Sequence, residues 1–186
     1  MNLPNSLTMA RLVFCVALVV SLQLAPPFRG SLAVGFFLIA SLTDWLDGKL
    51  ARRWNQVTDF GKLMDPLADK VMVSAAYIGL IEHQLVPSWF AIAIVTREFL
   101  ITGLRGLAAS KGVVLAAEKS GKHKTATQVI VAIVALLILA FRDWNYELLW
   151  QERLHDFALI PLMWLALILT LYSGAAYYLK NKRLLF

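Results

Sequence analysis

The chain has 186 residues, 59% of them hydrophobic and 16% charged, with a formal net charge of +6. That is too apolar for an ordinary soluble domain of this length; the positive balance suits a face that meets anionic lipids or phosphorylated substrates, and nothing points to nucleic acid. A single Cys15 excludes a disulfide framework, and His83, His123 and His155 stand apart, so there is no Cys/His metal spacing and the three histidines read as surface residues.

A membrane-spanning helix needs about 20 mostly apolar residues. In chain order, Leu7–Pro26, Gly30–Lys49, Leu63–Glu82, Trp89–Ala109, Thr125–Phe141 and Phe157–Leu179 meet or approach that length. The expected fold is an all-α polytopic membrane protein, with six transmembrane helices in one bundle and a single domain over residues 1–186. The first stretch lacks a small-residue cleavage site and holds Arg11 within it, so it reads as a first helix and not as a signal peptide. Of the 18 Lys and Arg residues, only Arg29, Arg142 and Arg153 fall in the connections after spans one, three and five. By the positive-inside rule, both termini and the 2–3 and 4–5 connections are then cytoplasmic. Trp89, Trp144, Trp150, Tyr146, Tyr177 and Tyr178 lie near span ends and read as an interfacial aromatic belt. Gly103 with Gly106, and Gly174 with Ala175 and Ala176, read as places where helices approach closely.

Spans two and three carry charges that an inert bundle would avoid. Span two runs cleanly only from Ser31 to Thr43, and span three only from Val71 to Ile81. Asp44, Asp47, Asp65 and Asp69 therefore sit on the helices at or just below the cytoplasmic interface, a depth at which ionisable groups are costly and usually functional. Residues three or four apart share a helix face, so Asp44 and Asp47 form one pair and Asp65 and Asp69 another. Four carboxylates aimed into one cavity repel each other unless cations are present, and oxygen-only ligands favour Mg²⁺ or Mn²⁺ over zinc. The competing reading pairs the aspartates with Lys49, Arg52, Lys62 and Lys70 at the interface.

The run Asp44-Trp-Leu-Asp47-Gly48-Lys-Leu-Ala51-Arg52, then eight residues, then Gly61-Lys-Leu-Met-Asp65-Pro-Leu-Ala-Asp69, resembles the signature of the CDP-alcohol phosphotransferase family without a departure. That resemblance implies a six-helix membrane enzyme that uses CDP-diacylglycerol, a pair of metal ions held by the aspartates, and Asp69 as general base. Gly48 and Gly61 would let a base or diphosphate approach the backbone, with Ala51 beside them, and Arg52 offers a planar fork to phosphate oxygens. Thr58 is a candidate cap for span three or a donor to the nucleotide, and Pro66 stands either in that helix's first turn or inside it. The segment Pro4-Asn5-Ser-Leu-Thr8-Met-Ala-Arg11 is similar to the one that lies over the nucleotide in this family, although Asn5 also suits a helix cap and Arg11 a topology signal.

The acceptor is read from basic residues beyond the signature. Arg97 and Glu98 fall near the middle of span four, and Arg105 lies two turns along the same face. Lys119, Lys122 and Lys124 precede span five, where a helix amino terminus adds its own preference for anions. Together they suit an acceptor that already carries a phosphate, against the alternatives of an Arg97–Glu98 pair that only ties helices and of lysines placed by topology alone. Thr96-Arg97-Glu98, Gly103-Leu-Arg105 and Gly121-Lys122-His-Lys124-Thr125 resemble bacterial members of the family whose acceptor is glycerol 3-phosphate. This likeness implies the products phosphatidylglycerol phosphate and CMP, a place in the bacterial cytoplasmic membrane with the site facing the cytoplasm, and contact with membrane lipids. Family members are commonly homodimers, though no residue here demands it. Rival readings are another acceptor, such as an inositol phosphate, serine or phosphatidylglycerol, and a divalent-cation transporter with intramembrane aspartates.

Overall fold

The computed structural model describes the backbone over residues 3–54, 59–110, 120–145 and 152–185, and side chains over 8–43, 64, 67–110, 123–145 and 152–181. Among these residues the chain forms six long helices and no strand. They are α1 (Leu3–Leu22), α2 (Phe28–Trp54), α3 (Asp59–Glu82), α4 (Ser88–Ser110), α5 (Ser120–Asp143) and α6 (Ile160–Leu185), the last entered through a π-helical turn at His155–Leu159. Each overlaps one of the six apolar stretches, although α1 stops at Leu22, short of Pro26, and α6 starts at Ile160, after Phe157.

Prolines mark several of the boundaries. Pro4 stands in the first turn of α1, where a missing N–H is harmless, and Pro26 and Pro27 follow its end. Pro66 lies inside α3, beyond its first turn. Pro161 follows the π-turn closely: it has no N–H to donate, and the Ile160 N–H before it reaches five residues back to the His155 carbonyl. Between α3 and α4 the chain reverses through Gln84 at φ 60°, with Pro87 leading into α4.

Within the bundle, α1 packs on α2 and α3, α2 on α5, and α4 and α5 on α6, while α3 also lies against α4 and α5. Large buried side chains such as Leu18, Phe37, Met72, Tyr77, Phe90 and Leu136 fill the centre, and alanines such as Ala33, Ala76, Ala132 and Ala166 let the helices close up. By length and composition, His123–Asp143 and Glu152–Asn181 could cross a membrane, and the described side chains of α1 and α2, Thr8–Leu22 and Phe28–Thr43, are apolar as well. Charges interrupt the other two helices: α3 begins with Asp59, Lys62, Asp65, Asp69 and Lys70, and α4 carries Arg97, Glu98 and Arg105.

At the end away from the aspartates, α2 begins hard against the end of α5. A side chain at Gly30 would collide with the backbone of Ala140, so only glycine fits there. The closeness lets the Gly30 N–H donate to Asp143 Oδ2 at 2.9 Å, while Arg29 Nε donates to the same carboxylate at 2.9 and 3.1 Å. Asp143 is buried, so its loss removes the acceptor from a buried amide and from a half-buried cation. Asp143→Ala is expected to lower stability by about 3 kcal/mol. Thermal unfolding in detergent checks this, and an unchanged midpoint would show that the bridge contributes nothing.

His83 corrects the surface reading of the histidines. It is buried, its Nε2 lies 3.1 Å from the Leu22 carbonyl at the end of α1, and its own carbonyl accepts from Arg142 Nη1 at 3.3 Å. A helix end needs partners for its last carbonyls, and the turn after α3 delivers an imidazole to one of them. Gly103 and Gly106 correct the packing expectation, because a side chain at either would meet open space.

Candidate functional site

Asp44, Asp47, Gly48, Ala51 and Arg52 occupy the last three turns of α2, and Gly61, Asp65 and Asp69 the first three of α3. At the α-helical rise, Asp44 and Asp69 each lie about 15 Å from the helix ends that residues 55–58 connect, and Asp47 and Asp65 about 10 Å. The two pairs thus fall at matched levels on consecutive, touching helices. Side chains of Asn5, Asp44, Asp47, Gly48, Ala51, Arg52, Gly61, Asp65 and Lys122 lie outside the described ones, and Thr58 and Lys119 lie outside the described residues altogether. Among the described residues, no group of three His, Cys, Asp or Glu side chains comes together as a metal site.

Asp69 is the signature carboxylate whose surroundings are described. It is half-buried and lines a cavity of about 20 Å³ with Lys70 and Ser74 from α3, Glu98 from α4, and Thr125 and Gln128 from α5. A space of that size holds about one water molecule. Asp69 also acts on the buried Cys15, as does Arg11. Thr8, Arg11 and Cys15 are three and four residues apart, share one face of α1 and are all buried. Arg11 is therefore no interfacial charge. It lies wholly inside the protein on the α1 face that reaches the Asp69 region.

Next to that cavity lies a polar cluster built from three helices. Glu98 Oε1 accepts from Lys124 Nζ, from Arg97 Nη1 at 3.3 Å and from Gln128 Nε2 at 3.4 Å. Arg97 and Glu98 are sequence neighbours whose side chains start on different faces, yet their length lets them meet. Gln128 also donates to Thr170 Oγ1 at 2.9 Å, and its carbonyl accepts from the buried Tyr77 hydroxyl at 2.8 Å. Arg97 Nη2 reaches Ser173 Oγ at 2.9 Å. One α6 turn further, Tyr177 hydroxyl lies 3.2 Å from Arg105 Nε, and the guanidinium sits 5.2 Å from the ring centre. Arg97 and Arg105 thus both turn toward α6, and the structure joins Arg97 to Lys124 through Glu98 while leaving Arg105 exposed two turns away.

Several of these partners were not singled out from the sequence. Gln128, Thr170 and Ser173 sit in apolar runs as isolated polar residues, and their only signal is that buried polar groups need mates. Tyr177 corrects the aromatic-belt reading: it is buried beneath Arg105, whereas Tyr178, Trp89 and Trp144 are exposed as the belt requires. Gly174 does permit a close approach, but to a side chain, since a Cβ there would lie 3.1 Å from Arg97 Nε and 3.2 Å from its Cγ. A larger cavity of about 540 Å³ lies at the opposite end, walled by Leu85, Val86, Trp89, Met163 and Trp164. Its apolar walls and its distance from the aspartates set it apart from the candidate site.

A family model described as CDP-alcohol phosphatidyltransferase matches residues 1–172. The chain is similar to the CDP-diacylglycerol–glycerol-3-phosphate 3-phosphatidyltransferase of Bacillus subtilis, with 43% identity over 193 aligned positions that cover 97% of this chain and 95% of that protein. Proteins with the same description from Haemophilus influenzae and Rickettsia bellii are 37% and 32% identical, covering 95% and 98% of this chain and 91% and 96% of their own lengths.

Proposed function

Since the chain belongs to the CDP-alcohol phosphatidyltransferase family, we propose that it transfers the phosphatidyl group of CDP-diacylglycerol to glycerol 3-phosphate, giving phosphatidylglycerol phosphate and CMP. The observation that carries the choice of acceptor is the pair Arg97 and Lys124, gathered on Glu98 beside the cavity that Asp69 lines. An unphosphorylated alcohol has no use for two cations held there at the expense of desolvation. Similarity to relatives described as using glycerol 3-phosphate supports the same acceptor.

The donor set fits a pair of Mg²⁺ or Mn²⁺ ions, because Asp44, Asp47, Asp65 and Asp69 offer only oxygen and lie at matched levels on two touching helices. Such ions, when bound, neutralise the diphosphate and stabilise the CMP that leaves. Asp69 takes the proton of the acceptor hydroxyl, which attacks the phosphorus attached to diacylglycerol. Arg52 grips phosphate oxygens, Gly48, Ala51 and Gly61 leave room for the nucleotide, and Asn5, Thr8 and Thr58 close over it. Arg97, Arg105, Lys119, Lys122 and Lys124 receive the acceptor phosphate.

The six helices form one transmembrane bundle in the bacterial cytoplasmic membrane, with both termini and the aspartate end on the cytoplasmic side. Supporting this, Val13, Val16, Ile78, Ile92, Leu100, Ile168 and Leu171 are exposed on the outside of α1, α3, α4 and α6, more apolar surface than water would tolerate. The basic residues concentrate at the aspartate end of the helices.

The test is CMP release by purified protein in detergent, given CDP-diacylglycerol and Mg²⁺, with glycerol 3-phosphate, inositol phosphate, serine or no acceptor. Release driven only by glycerol 3-phosphate is expected. Release with another alcohol would overturn the acceptor, and none with any alcohol would favour ion transport. Gly174→Ala serves as a milder probe of the same pocket, because Arg97 must give way by a few tenths of an ångström. The KM for glycerol 3-phosphate is expected to rise about fivefold with kcat little changed.

A further inference from the structure

Glu98 has no role in the reaction as described, yet it stands at the centre of a polar cluster that joins α4, α5 and α6. A single oxygen receives donors from Lys124, Arg97 and Gln128, so two cations share one carboxylate oxygen. The side chains of Arg97, Glu98 and Lys124 are only 11%, 15% and 7% exposed. At such burial, two adjacent cations would separate without the carboxylate between them.

The neighbours are arranged to hold Glu98 still. The Gln128 side chain is anchored by Thr170, and Arg97 by Ser173, so both ends of the cluster are fixed to α6. One donor is left over: Arg97 Nε is buried and meets no acceptor among the described residues. It lies over Gly174, where no side chain covers it. Glu98 itself forms part of the wall of the cavity that Asp69 lines, so the cluster and the reacting end share a boundary.

We propose that Glu98 is a positioning residue for the acceptor: through one oxygen it holds Lys124 and Arg97 together beside the Asp69 cavity, so that the phosphate of the acceptor meets two cations already in place. It does not touch substrate. Its contribution is to prevent the cations from separating before the phosphate arrives, which makes its effect specific to acceptor binding. This inference rests on the functional reading above.

Glu98→Gln keeps the shape and one acceptor oxygen but removes the charge. The KM for glycerol 3-phosphate is expected to rise about tenfold or more, with the KM for CDP-diacylglycerol and kcat within about threefold of wild type. Glu98→Asp, which restores the charge on a shorter arm, should recover part of the loss, and Lys124→Gln combined with Glu98→Gln should be little worse than Lys124→Gln alone. No rise in the acceptor KM, or an equal rise for both substrates, would overturn the proposal, as would additive effects in the double variant. If Glu98→Gln does not accumulate as folded protein, Glu98→Asp decides on its own: an acceptor-specific KM rise supports the role, and an unsplit loss of activity refutes it. Wild-type protein assayed alongside separates the two readings. Wild-type release that ignores glycerol 3-phosphate overturns the functional reading and the role of Glu98 with it, whereas a normal wild type beside unsplit variants overturns only the role of Glu98.

Discussion

Asp69→Asn is expected to reduce CMP release by about 10³-fold while leaving the protein folded. The change preserves volume and keeps one acceptor oxygen in a cavity sized for one water, so the packing around Val73, Ile94 and Gln128 has little reason to shift. What disappears is a group that can accept a proton from the acceptor hydroxyl and one negative charge toward a bound cation. Measuring CMP release together with binding of CDP-diacylglycerol separates the two losses. Retained binding with no turnover identifies Asp69 as the base, and wild-type turnover in the variant would refute the mechanism.

Removal of divalent cations has an effect of similar size. Chelation is expected to lower turnover to background, with Mg²⁺ or Mn²⁺ restoring it, because carboxylates at matched levels on α2 and α3 are tolerable together only when cations offset them. The chelated protein should also lose thermal stability in detergent and regain it when the metal returns, since ligand binding to the native state stabilises it by mass action. Full activity after exhaustive chelation would contradict the metal reading and would favour interfacial ion pairs with Lys49, Arg52, Lys62 and Lys70.

The six helices were legible in the sequence from their long apolar runs. Asp44, Asp47, Asp65 and Asp69 stood out because they interrupt two of those runs. All four fall on helices, Asp44 and Asp47 on α2 and Asp65 and Asp69 on α3. Contacts between distant segments were not legible. Glu98 and Lys124 are 26 residues apart, and only the side-chain bridge from α4 to α5 reveals that one carboxylate serves Arg97 and Lys124 together. Tyr177 near the end of α6 gives no sequence signal of facing inward, and it differs from the exposed Tyr178 only by one step around the helix. His83 in a polar connection looks solvated until the end of α1 is seen to need a partner. Glycines behaved in the same way: Gly30 is the site where backbones meet, and Gly103 is not, because a close approach depends on which neighbour is opposite.

The most direct measurement of the central claim follows the phosphate of the acceptor. Purified protein is incubated with CDP-diacylglycerol, Mg²⁺ and glycerol 3-phosphate labelled in its phosphorus, and label in the organic phase is counted against CMP released. One labelled phosphate entering lipid for each CMP formed is the predicted result. CMP release without label in the lipid, or label that appears without CDP-diacylglycerol, would contradict the account.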